Sequence, residues 1–280
     1  MLRHLYLFAY FHRFGGELDD SLSFDPFAGQ DQRRAAGYHE GMALRPGHAN
    51  PDSDMDLTGL APVDGKFRTS LVIDPDTGRI PFTPKAEAAI EALFSSEGLD
   101  NPEERDASER CIAGGGRAPM LVPPSNGYMQ IVQTPAHLVL LSEGLNDLRI
   151  VPFDGVKRDA RITSPHGLST AHWEGDVFVV ETTGFRADDT FRIAPPQGIL
   201  MLSPESVVVE RFTPISKDEF RYRFTVSDAG LYKAPWTAET IYVRTRAPLY
   251  EYACHEANYS MANMLLGGRR MDLQAIKPRN

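Results

Sequence analysis

From residue 128 onward the chain repeats one pattern: short apolar–polar alternations separated by turns. Tyr128–Gln133, His137–Ser142, Leu148–Phe153, Val177–Thr183, Ser206–Thr213, Glu219–Ser227, Thr240–Thr245 and Leu249–Cys254 all carry it. They are rich in Val, Ile, Phe, Tyr and Thr and are bounded by Pro, Gly, Asp or Ser, the composition of half-buried strands. Strand follows strand with no helix between, so neighbours are expected to pair antiparallel. About eight or nine such strands suit a closed or nearly closed barrel, whose mouth is a natural ligand pocket. A sandwich of two sheets is the alternative.

The chain is 42% hydrophobic over 280 residues, enough apolar material for one large core. The expected organisation is an N-terminal arm and wrapping extension over 1–65, then a β-barrel domain over 66–280 with a helical insertion near 83–97. Residues 14–65 carry much Gly, Asp and Pro without periodicity, apart from a weak helical pattern from Asp31 to Glu40. Phe67–Ile73 reads as a strand closed by the turn Asp74–Gly78. The inserted helix is signalled by Thr83 as cap and Pro84 in the first helical position. Ala89, Ile90, Leu93 and Phe94 then follow helical spacing, and Gly98 marks the stop. Trp173–Asp176 reads as a turn into the Val177 strand, and Pro214–Asp218 as a hairpin loop.

Charge and composition exclude several classes. A net charge of −9, with no basic run, argues against a nucleic-acid surface and demands a local cation for any anionic substrate. No apolar stretch approaches the roughly 20 residues of a membrane span. Met1–Phe11 is apolar but broken by His12-Arg13, with no small-residue cleavage site. It reads as an arm packing on the body or on a neighbouring subunit, which favours a homodimer. The expected compartment is the cytoplasm, with the periplasm as the alternative. Cys111 and Cys254 fit no disulfide framework and no zinc motif. Buried free thiols are the cytosolic default and a single bridge is the alternative.

Two polar clusters carry the chemistry. Asp147 and Arg149 are two residues apart in a strand and therefore share a face. Leu148 and Ile150 offer the other face a hydrophobic destination, so a solvated ion pair is the default reading. On an inner face, Arg149 would instead be a fork for a carboxylate, with Asp147 orienting it. The second cluster is Tyr250-Glu251-Tyr252-Ala253-Cys254-His255-Glu256-Ala257-Asn258-Tyr259. Extended geometry would put Glu251 and His255 on one face, and Tyr250, Tyr252, Cys254 and Glu256 on the other. An imidazole beside carboxylates is the usual equipment for general acid–base work, against the reading of a structurally satisfied histidine. Glu181 and Glu210, in apolar strands, are expected to pair with Arg211, Arg221, Arg223 or Arg244. No HxH, HExxH, CxxC or nucleophile elbow occurs, so neither metal nor cofactor is expected. Gly114-Gly115-Gly116-Arg117 lacks the ending of a phosphate loop.

Glu109-Arg110-Cys111, Tyr128–Pro135, Trp173–Thr183, Val209–Phe212 and Tyr250–Tyr259, in that order, resemble a large, mostly uncharacterised bacterial family of lipocalin-like β-barrels. The likeness spans roughly 67–270. It implies a calycin-type antiparallel barrel with a few short helices, and a loose link to catabolism of lignin-derived aromatic dimers. The implied activity is a cofactor-independent lyase, in its decarboxylating form with aryl ether ring opening, on an aromatic carboxylic acid in the barrel cavity. Arg149 would hold the carboxylate, with Asn146 beside it, and Asp147 would orient it. His255 with Glu251 or Glu256 would move a proton, and Tyr128, Tyr252 or Tyr259 would bind a phenolic oxygen. Two departures from the family pattern stand out: Asn146 replaces a His, and relatives that look exported contrast with an N-terminus that does not read as a signal; Asp56–Leu60 resembles a lipocalin opening without its Trp. Many relatives look exported, which for them favours pairing of the cysteines equivalent to Cys111 and Cys254. The rival reading is a non-catalytic carrier of a hydrophobic or aromatic molecule.

Overall fold

The computed structural model describes residues 23–25, 70–95, 101–102, 105, 107–114, 116–120, 128–153, 159, 161–187, 191–194, 198–245, 248–256 and 258–276. The strands are Ser23–Asp25 (β1), Val72–Asp74 (β2), Met129–Gln133 (β3), His137–Ser142 (β4), Leu148–Pro152 (β5) and Leu168–Glu174 (β6). Then come Val177–Thr183 (β7), Phe191–Ala194 (β8), Gly198–Met201 (β9), Val207–Pro214 (β10), Glu219–Ser227 (β11) and Trp236–Thr245 (β12). The helices are Pro84–Ser95 (α1) and Tyr259–Ile276 (α2). The expected helix at Asp31–Glu40, the apolar arm and Gly98 lie outside the described residues.

All ladders are antiparallel. Six strands, β2, β6, β7, β10, β11 and β12, form one sheet and β3–β5 another, and the short β1 joins them between β12 and β3. β8 and β9 form a separate hairpin. The two edge strands, β5 and β6, lie side by side without a ladder among the described residues. The antiparallel β class therefore holds, but the ring of hydrogen bonds that defines a closed barrel is not made.

Both expected turns close hairpins but are shorter than their sequence suggests, since Trp173 and Glu174 belong to β6 and Pro214 to β10. The β6–β7 turn places Gly175 at φ 62°, a conformation glycine adopts without steric cost, and Glu174 pairs with Val177 across it. The β10–β11 loop closes with Pro214 opposite Phe220. α1 starts as expected: the Ala86 N–H donates to Thr83 Oγ1 at 3.2 Å, and Pro84 opens the helix.

Alternation fills the space between the strands with rings. Phe178, Phe212, Phe220, Tyr222, Phe224, Trp236 and Tyr242 are all buried. Their rings form a chain, from Trp236–Phe224 at 5.6 Å through Tyr222–Tyr242 at 5.6 Å to Phe212–Phe178 at 6.0 Å. Each such pair contributes about 0.5–1.5 kcal/mol beyond its buried area.

Several expectations fail here. Leu249–Cys254 is not a strand: Cys254 N–H turns back to Tyr252 O and Glu256 N–H to Ala253 O. Alternation of faces needs extended backbone, so the assignment of faces within this segment falls with it. Phe67–Ile73 yields only Val72–Asp74 among the described residues. β1, β6, β8, β9 and α2 go beyond the expected elements; Gly267-Gly268, each costing about 1 kcal/mol in a helix interior, hides the pattern of α2. The cysteines are not free, because Cys111 and Cys254 are bridged, with Cα atoms 5.8 Å apart.

Candidate functional site

β5 is built inside out. Asp147, just before it, and Arg149 are 5% and 4% exposed, whereas Leu148 and Ile150 are 51% and 54% exposed. The solvated ion-pair default is thus overturned, and the cause lies in other strands. Arg149 Nη2 donates to Glu210 Oε2 at 2.7 Å, and Tyr222 Oη donates to Glu210 Oε1 at 2.6 Å. Tyr222 Oη in turn accepts the Met120 N–H at 2.7 Å. Glu210 faces inward, so the next residue along β10, Arg211, points away and pairs with Glu174 at 2.8 Å. Arg223 and Arg221 are taken by Glu239. The expected partners of Glu210 were therefore the wrong arginines, and the exposed Glu181 has no role in this interior network. Burial pushes the Tyr222 phenol well above its ordinary value; the charges of Glu210 and Tyr242 add to this and Arg149 opposes it. Arg149 Nε and Nη1 are buried with no hydrogen-bond acceptor among the described residues.

Asp147 is anchored separately. Its Oδ2 accepts the Gly114 N–H at 2.6 Å and the Gly116 N–H at 3.2 Å. Its Oδ1 lies 3.1 Å from His166 Nε2. A Cβ on Gly116 would come within 2.7 Å of Asp147 Cβ and 2.8 Å of Ser142 Cβ. The glycine tract serves close backbone approach to a side-chain carboxylate. His166 keeps 24% of its side chain exposed. Asp228 offers a contrast: it too is buried, but its partners are the hydroxyls of Ser203 and Ser206 and the N–H groups of Gly230 and Leu231. That carboxylate ties loops together and orients no titratable ring.

The two clusters singled out in the sequence do meet. Asn146 Nδ2 donates to Tyr252 O at 3.2 Å, and Asn146 Oδ1 accepts the Tyr252 N–H at 3.4 Å. Glu143 Oε2 accepts the Tyr250 N–H at 3.0 Å, and Tyr128 O accepts the Glu143 N–H at 3.0 Å. The Cys111–Cys254 bridge completes the junction. The contacts run through main chain, so the side chains turn outward: Glu251, His255 and Glu256 are exposed, and Tyr252 and Tyr259 are 37% and 73% exposed. Arg149 is buried and His255 is exposed, so they do not share an enclosed cavity. An open pocket of about 500 Å³ lies between the walls of the bridge, and Glu251 and Tyr252 line it together with Glu109, Asn258 and Met264. No cluster of three or more His, Cys, Asp or Glu is placed to hold a metal among the described residues.

The sequence does not pair His166 with Asp147, and it reads Gly114 and Gly116 only as an incomplete phosphate loop. Nothing in their spacing announces them, because their partner Asp147 comes from a different segment. Comparison with protein-family models, curated proteins and solved structures finds no match for this chain.

Proposed function

We propose that the protein is an acid–base enzyme acting on a small molecule, with His166 exchanging the proton and Asp147 orienting its ring. One observation carries this reading: a buried carboxylate, fixed by two main-chain N–H groups, holds the Nε2 edge of a partly exposed imidazole at 3.1 Å. In the tautomer that donates Nε2–H to Asp147, Nδ1 is left able to accept a proton. A base of that kind suffices for the first step of an elimination, so a cofactor-independent lyase stays the proposed reaction class. An aromatic carboxylic acid stays the first substrate class to try. Arg149, engaged by Glu210, fixes β5 in this reading rather than the substrate. The aromatic side chains occupying the interior favour chemistry at the junction over an internal carrier. A bridged cysteine pair persists in oxidising compartments, so the periplasm becomes the proposed location.

The test is turnover of a panel of aryl ether and phenolic carboxylic acids. His166→Gln should lower kcat about 100-fold or more, with Asp147→Asn following it. Undiminished turnover in a folded His166→Gln protein would sink the assignment.

A further inference from the structure

The open pocket at the bridge is distinct from the Asp147–His166 pair, since His166 is not among its lining residues. Its volume, about 500 Å³, is that of a small-ligand site. Its walls come from segments separated by 143 residues in sequence, joined by the Cys111–Cys254 bond. Glu109 is on one wall, and Glu251 and Tyr252 are on the other, with Met264 from the second turn of α2. No Lys, Arg or His is among the described lining residues. The N-terminus of α2 would by itself favour an anion, but its Met261 N–H is taken by Asn258 Oδ1 at 3.4 Å. Two carboxylates in a chain of net charge −9 reverse that preference.

We propose that this pocket binds a small organic cation, an ammonium group carried on an apolar or hydroxylated body. The carboxylates of Glu109 and Glu251 supply the counter-charge. The Tyr252 ring suits a poorly hydrated ammonium, and Met264 adds an adaptable apolar contact for its body. The concave shape gives room for a small molecule, and the two lining carboxylates favour a cation within it. An aromatic carboxylate finds no counter-charge here. The bridge is part of the site, because it fixes the distance between the walls. Reduction by a dithiol would transfer two electrons and two protons to the cysteines, giving two thiols and the cyclic disulfide of the reductant, and would free the walls to part.

Calorimetric titration with choline, its uncharged isostere 3,3-dimethylbutan-1-ol and benzoate tests the proposal. Choline should bind about tenfold tighter than the alcohol, and the advantage should shrink in 0.5 M salt. Glu109→Gln and Glu251→Gln should each weaken choline about threefold or more, as removal of one partly screened counter-charge requires. The Met264 methyl resonance should move with choline, and prior dithiol reduction should abolish the shift. His166→Gln should leave choline affinity unchanged, which separates this site from the acid–base reading. Equal binding of alcohol and choline, no binding of choline, or indifference to both glutamate substitutions would overturn it.

Discussion

At the scale of single residues, β5 shows how a buried charge dictates which way a strand faces. Arg149 and Glu210 are 4% and 0% exposed, and the loss of water by both is offset only while each has the other. Arg149→Met should therefore cost about 3–5 kcal/mol in urea unfolding, because Glu210 is left buried and charged without its cation. Arg149→Met combined with Glu210→Leu should recover most of that loss. A neutral single variant would mean that the pair is not desolvated. Leu148 and Ile150, exposed on the other face, should each tolerate Thr within about 0.5–1 kcal/mol by the same measurement. The usual rule, apolar in and charged out, is inverted here by specific partners on another strand.

At the scale of elements, the junction depends on a glycine loop and a covalent tie. Gly116→Ala would force a methyl group against the Cβ atoms of Asp147 and Ser142. The loop must then withdraw and release Asp147, so on the proposed acid–base reading turnover should fall as expected for His166→Gln while the β-sheet circular dichroism is retained. Residues 250–256 form no ladder among the described residues; side-chain contacts from Glu143 and Asn146 and the Cys111–Cys254 bridge hold them. Closing so long a loop contributes up to about 5 kcal/mol on the chain-entropy account. Reduction should first raise hydrogen exchange in α2, with β10–β12 keeping their protection. Simultaneous loss of protection in both would show that the bridge holds the whole sheet.

At the scale of the molecule, Tyr222 links stability to alkaline pH. Its folded pKa is raised by burial, so its contribution is fully present below the unfolded value near 10 and fades as pH rises above it. Thermal midpoints measured from pH 8 to 12 should fall above about pH 10. Tyr222→Phe should be less stable at neutral pH, through loss of the Glu210 and Met120 contacts, yet show a shallower alkaline decline. A parallel decline in both proteins would assign the alkaline limit elsewhere.

Local chemistry determined much of this protein. Period two wrote β3, β4, β5, β7, β10 and β11 into the chain, Gly175 fixed one hairpin, and Thr83-Pro84 started α1, because each is decided by neighbours within a few residues. Only the tertiary structure decided that Asp147 and Arg149 point inward, that His166 meets Asp147, and that Tyr250–Glu256 abandons extended geometry for a bridged, solvent-facing turn. Those outcomes rest on partners tens of residues away. The free energy of a buried charge or a covalent tie is set by who arrives opposite it, which no local pattern records.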